Sequence, residues 1–163
     1  MLDKGANIMK VFISHKYEDS ITANQILEKL KELKVDAYLD LLDTNLLFEG
    51  EKLTKHIKDR LNECTDLMAV VSNNTQSSWW VPFEIGMAAQ QDFPIVNYLK
   101  DGVTLPDYLS YWPKLKSLND ISKYVEAKQY VQKQILNEAL SKSHYSLKGT
   151  PTSRFYQELK SRL

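Results

Sequence analysis

The chain has 163 residues, of which 43% are hydrophobic and 26% charged, with 21 Lys and Arg balancing 21 Asp and Glu. This is the length and mix of one soluble domain with its own core, and a formal net charge of zero argues against a nucleic-acid or membrane partner. The only cysteine, Cys64, rules out an internal disulfide, and three scattered histidines give no metal-ligand spacing, so no metal is expected.

KVFIS (10–14) is a β-branched and aromatic run, the pattern of a buried strand. Polar HKYEDS follows, where Asp19 or Ser20 is placed to cap a helix whose Ile26, Leu30 and Leu33 form one apolar stripe. VDAYLD (35–40) predicts a second strand, and the loop LLDTNLLFEG after it is unusually apolar. A helix over about 51–64 carries Leu53, Ile57 and Leu61 on one face, with Cys64 as a small core residue at its end. LMAVVS (67–72) has the continuous apolar pattern of a strand covered on both faces. After polar NNTQSS, a third helix is expected over about 81–91, then a fourth strand in PIVNYL (94–99).

Beyond Gly102 the pattern weakens. VTLPDYLSYWP reads as a short fifth strand or a turn of helix. DISKYVEAKQYVQKQILNEALSK is a long amphipathic helix with Ile121, Val125, Val131, Ile135 and Leu136 mostly on one side, and GTPTSRF breaks it before a short terminal helix. The opening MLDKGANIMK lacks the apolar run of a signal peptide. No window reaches the roughly 18 apolar residues of a membrane span, so a cytoplasmic location is expected.

Four alternations of strand and helix predict an α/β fold, a parallel sheet with helices on both faces joined by right-handed crossovers. Ligands of such sheets bind beyond the carboxyl ends of the strands. The segments expected there are 14–17, 40–50 and 72–80, with Glu84 near the start of the third helix on the same edge.

The ordered set VFISHKYEDS, VDAYLD, an apolar loop closed by Gly50, and VVSNNTQSSWWVPFE resembles the Toll/interleukin-1 receptor (TIR) domain in its bacterial form. The resemblance covers residues 9–100. Residues 101–163 would complete the single α/β domain and add a C-terminal helical tail. It implies a flavodoxin-like doubly wound parallel sheet, in agreement with the periodicity, and cleavage of NAD⁺ at the nicotinamide–ribose bond with Glu84 as the catalytic residue. Trp80 matches the family's motif tryptophan and Trp79 is an extra aromatic beside it. Ser14, His15, Asp40, Trp79 and Trp80 are the expected substrate-binding residues. NAD⁺ is then the substrate, and no cofactor is expected. The loop 41–50 matches the segment through which family members self-associate, which puts Leu46, Leu47 and Phe48 at an interface. The chain is similar to the TIR component of Thoeris-type antiphage defence, which implies a soluble ADP-ribose-derived signal, cyclic or conjugated, read by a separate effector protein.

Each of these residues also has a plainer reading. With Pro82 as the first helical residue, Glu84 would be the third, where capping and the helix dipole favour a carboxylate. Asp40 suits a turn, and His15 an exposed loop. Of Trp79 and Trp80, one is expected in the core and the other at the mouth. Two other functions compete with NAD⁺ cleavage: a non-catalytic TIR interaction module, and a nucleoside hydrolase or deoxyribosyltransferase-like enzyme on a similar sheet.

Overall fold

A computed structural model describes residues 9–39, 50–100, 102–141 and 149–163. The elements are β1 (Lys10–Ser14), α1 (Ser20–Glu32), β2 (Asp36–Leu39), α2 (Gly50–Asn62), β3 (Asp66–Val71), α3 (Trp80–Gln90), β4 (Ile95–Leu99), the one-turn α4 (Asp107–Ser110), β5 (Lys114–Leu115), α5 (Leu118–Ser141) and α6 (Pro151–Arg162). The five strands form one sheet in the order β2-β1-β3-β4-β5. Every neighbouring pair is parallel, with Ile13 opposite both Leu39 and Met68, and Val71 opposite Leu99.

The period of two along each strand divides the core in two. Val11, Ile13, Met68, Val70 and Val96 face α1, α5 and α6. Phe12, Leu67, Ala69, Val71 and Ile95 face α2 and α3. The predicted doubly wound sheet is therefore present, and the helical tail is part of it: Tyr124 of α5 and Phe155 of α6 pack edge to face at 5.6 Å inside the first core.

Three expectations are corrected in detail. Residues 103–115 hold both a helical turn and a strand, with the strand at Lys114–Leu115 just past the stretch expected to contain one. The last helix begins inside the expected break, because Pro151 suits a first helical position and the Thr150 side chain accepts from the Ser153 N–H at 3.1 Å. Leu136 is exposed, and Tyr124 and Ala127 take the buried side of α5 instead.

At the amino-terminal edge of the sheet, α5 is locked on by a buried charge. The fully buried Asp66 carboxylate accepts from Lys128 Nζ at 2.9 Å, the Tyr124 hydroxyl at 3.1 Å and Thr65 Oγ1 at 2.7 Å. Lys128→Met would strip the cation and leave the carboxylate in place. Loss of one partner of a buried ion pair costs about 3 kcal/mol, so urea unfolding should show a stability loss of that size.

Burial also sets an alkaline limit. It pushes the Cys64 thiol from its ordinary 9.0 up to about 11 and the Tyr156 phenol from 10.0 up to about 12. Burial, reinforced by Asp66, raises Tyr124 well above its usual range. These groups keep their protons when folded at a pH where the unfolded chain would release them. Their contribution is complete below about pH 9 and is lost as pH rises, from 9 to 11 for Cys64 and from 10 to 12 for Tyr156. The urea midpoint should therefore fall steadily above pH 9, and Tyr124 and Tyr156 should form phenolates only as the domain unfolds.

Candidate active site

The chain leaves β1 at Ser14 and folds at once into a 3-10 turn (Tyr17–Asp19) that lies over the strand ends. The chain leaving β3 does the same at Thr75–Ser77 before entering α3. Because β1 and β3 are adjacent and parallel, the two exits meet at the carboxyl edge of the sheet.

Glu84 comes to this edge from α3. That helix starts at Trp80, two residues before Pro82, so Glu84 is its fifth residue and lies past the capping positions. The amides that need a cap are taken by Ser78, whose Oγ accepts from the N–H groups of Trp80 and Val81, both at 3.2 Å. Glu84 instead shares the core-facing stripe of α3 with Val81, Ile85 and Ala88, and is 1% exposed. The capping reading of Glu84 is thereby excluded. The Ser14 hydroxyl donates to Glu84 Oε2. A carboxylate at a helix position that geometry would give to an aliphatic residue costs desolvation free energy, which a packing role would not require.

The two tryptophans separate. Trp79 is 90% exposed. Trp80 packs partly buried against the second core, with its ring edge-on to Phe83 at 6.5 Å. His15 corrects an expectation: it is 8% exposed, because the polar stretch after β1 folds back over the domain and does not run out into solvent. Asp40, Leu46, Leu47 and Phe48 lie outside the described residues.

Asp19 was expected only as a helix cap. It stands at the start of α1, but its side chain makes no capping bond there. Its carboxylate, 0% exposed, accepts from Ser72 Oγ at 2.6 Å, Asn74 Nδ2 at 3.4 Å and Lys100 Nζ at 3.4 Å. The sequence hides this role, since the partners follow β3 and β4, and no local spacing announces which strands will be neighbours. Beside the edge, a mostly apolar cavity of 280 Å³ opens between α3 and residues 103–109, walled in part by Val71, Val81, Pro82, Ile85 and Leu109. A cleft of 650 Å³ along α1, including Ser20, Asn24, Glu28 and Leu118, contains none of the expected site residues. Among the described residues, no three His, Cys, Asp or Glu side chains are grouped to hold a metal ion, and no helix is long and apolar enough to cross a membrane.

Fold and edge together define a flavodoxin-like α/β domain with a buried carboxylate at the carboxyl edge of its sheet, where ligands of such folds bind. The chain belongs to the TIR-domain family, whose profile matches residues 11–125. Two curated relatives are similar over part of their length. One is a putative cyclic ADP-D-ribose synthase, TIR2, of Cytobacillus dafuensis, 27% identical over 82 residues, covering 48% of this chain and 22% of the relative. The other is a probable 3′ cyclic ADP-D-ribose synthase, ThsB′, of Bacillus cereus (strain MSX-D12), 25% identical over 116 residues, covering 65% of this chain and 60% of the relative. The match thus spans less than two thirds of either relative. Among solved structures, a 2-deoxyribosyltransferase of Bacillus psychrosaccharolyticus superposes with a TM-score of 0.55 at 13% identity, covering 69% of this chain and 89% of that one, a likeness of fold.

Proposed function

We propose that this chain cleaves the nicotinamide–ribose bond of NAD⁺ and converts the ADP-ribosyl group into a soluble signalling nucleotide for antiphage defence. The observation that carries the reading is the buried Glu84 carboxylate on the core stripe of α3, held by Ser14 at the carboxyl edge of the sheet. Nicotinamide leaves NAD⁺ as a neutral ring taking the bonding electron pair, so no strong general acid is needed. The ribose passes through an oxocarbenium-like state. One fixed carboxylate beside it stabilises the developing positive charge, and the Ser14 hydrogen bond keeps that carboxylate from rotating away. Trp79, exposed beside the edge, offers a stacking face for a base. The two relatives named as cyclic ADP-ribose synthases support the same chemistry.

The deoxyribosyltransferase likeness is one of fold, but it keeps a second N-glycosidic substrate class in the test. Concentrated pure protein should consume NAD⁺ and release nicotinamide, and it should leave a panel of nucleosides intact. Nucleoside cleavage without NAD⁺ loss would transfer the site to that second class. No turnover of either would make the domain an interaction module.

Self-association through residues 41–50 belongs to the same proposal, on the strength of Leu41, Leu42, Leu46, Leu47 and Phe48 within ten residues of sequence. Activity should then rise steeply with protein concentration. Leu47→Asp would place a charge where desolvation makes it costly and should flatten that dependence. A wild-type monomer fully active at low concentration would refute the idea.

A further inference from the structure

Four side-chain bonds join the exit of β1 to the segment that carries Glu84. Ser14 donates to Glu84, Lys16 Nζ donates to Ser77 Oγ at 2.5 Å, and Asp19 accepts from Ser72 and Asn74. The buried bond from Ser72 to Asp19 reaches furthest. Ser72 Oγ, while donating to Asp19, accepts from the Asn74 N–H at 3.0 Å. The Ser72 N–H donates to Thr75 Oγ1 at 2.9 Å, and Thr75 is itself buried. Thr75 O then accepts from the N–H of Ser78 at 2.9 Å, the residue whose Oγ caps α3. A continuous hydrogen-bonded chain therefore runs from Asp19 to the first turn of α3, and one turn later stands Glu84.

We infer that Asp19 is the positioning residue of the site: its buried carboxylate fixes the β3–α3 turn and through it the placement of Glu84 at the carboxyl edge. Several features favour this over a general stabilising role. Asp19 lies on no strand and caps no helix through its side chain. Its three partners lie after β3 and at the end of β4, all at the carboxyl edge. Lys100, which follows β4, is the cation beside it at 3.4 Å and balances the carboxylate. An ordinary core position would carry an apolar side chain. A buried acid whose bonds all go to one catalytic edge is more economically explained by the need for a fixed geometry there, since a misplacement of about 1 Å can cost on the order of 100-fold in rate.

The inference rests on the NAD⁺ reading for its kinetic arm only, and an exchange arm stands apart from it. With NAD⁺ as substrate, Asp19→Ala should lower kcat about 20-fold with KM changed less than about 3-fold, as expected when alignment and not binding is lost. Asp19→Asn, whose amide oxygen still accepts from Ser72, should restore most of kcat. Ser72→Ala should reproduce the alanine phenotype in part and serves if Asp19→Ala does not fold. In parallel, amide hydrogen exchange should show protection falling at least about tenfold across residues 78–85 in the alanine variants, with the β1 and β4 amides unchanged. If wild type leaves NAD⁺ intact, the functional reading fails and the exchange arm decides the role of Asp19. An unchanged kcat, or a loss of protection spread evenly over the sheet, overturns the positioning role.

Discussion

Glu84→Gln is expected to lower NAD⁺ turnover by at least about 100-fold, the usual scale for removing one preorganised electrostatic group, while the domain stays folded. Glutamine matches glutamate in volume, and its amide oxygen can still accept from the Ser14 hydroxyl. What it removes is the negative charge that would face the oxocarbenium-like ribose. Stability should change by no more than about 1 kcal/mol, and in the favourable direction if at all, because a buried charge is exchanged for a neutral amide. That pairing of a large kinetic loss with a small or positive stability change separates a catalytic carboxylate from a structural one, whose loss would do the reverse. Ser14→Ala should show a smaller kinetic loss, since it removes one hydrogen bond from the carboxylate and leaves its charge. Steady-state turnover and urea unfolding on the same preparations check both. A folded glutamine variant with wild-type turnover would remove Glu84 from the mechanism.

The sheet is legible in the sequence because its longer strands announce themselves locally. KVFIS, LMAVVS and PIVNYL are runs of apolar and β-branched residues, and burial on both faces leaves them no alternation to confuse. Strand β5 was not legible, being two residues long with only Leu115 buried. The site divided along the same line. Glu84 could be placed at the carboxyl edge by topology, but its helix position depended on a boundary that Pro82 suggested wrongly. Proline is tolerated anywhere in a first turn, and here Ser78 had already supplied the cap. The sequence conceals His15 and Asp19 for a different reason. In sequence they belong to a charged stretch that looks solvated, and only the adjacency of β1 and β3, a non-local fact, reveals that the stretch is folded over and its carboxylate enclosed.

The product formed after nicotinamide leaves depends on what stands nearest the ribose carbon. Water yields linear ADP-ribose. A nitrogen of the folded-back adenine, or a ribose hydroxyl, closes a ring by attacking the same carbon and losing a proton to solvent. An amino-acid nucleophile gives a conjugate. Holding an internal nucleophile at near-attack distance is worth several kcal/mol over random encounter, so a site that folds the adenine back favours the ring. The proposed function gives this task to Trp79, whose ring is 90% exposed beside the edge. Stacking of a base on an aromatic ring contributes about 1–3 kcal/mol, which corresponds to a bias of roughly 5- to 160-fold in partition between ring closure and hydrolysis. Wild-type protein is therefore expected to give mainly a cyclic isomer, lighter than ADP-ribose by one water. Trp79→Ala should raise the ratio of linear to cyclic product by about tenfold while nicotinamide release continues. Chromatography and mass measurement of completed reactions, with and without free amino acids and cell extract, read both numbers directly. If wild type yields nicotinamide and linear ADP-ribose under every condition, the messenger is lost from the proposal and NAD⁺ depletion takes its place. If the ring forms but Trp79→Ala leaves the ratio unchanged, the adenine is folded by another surface.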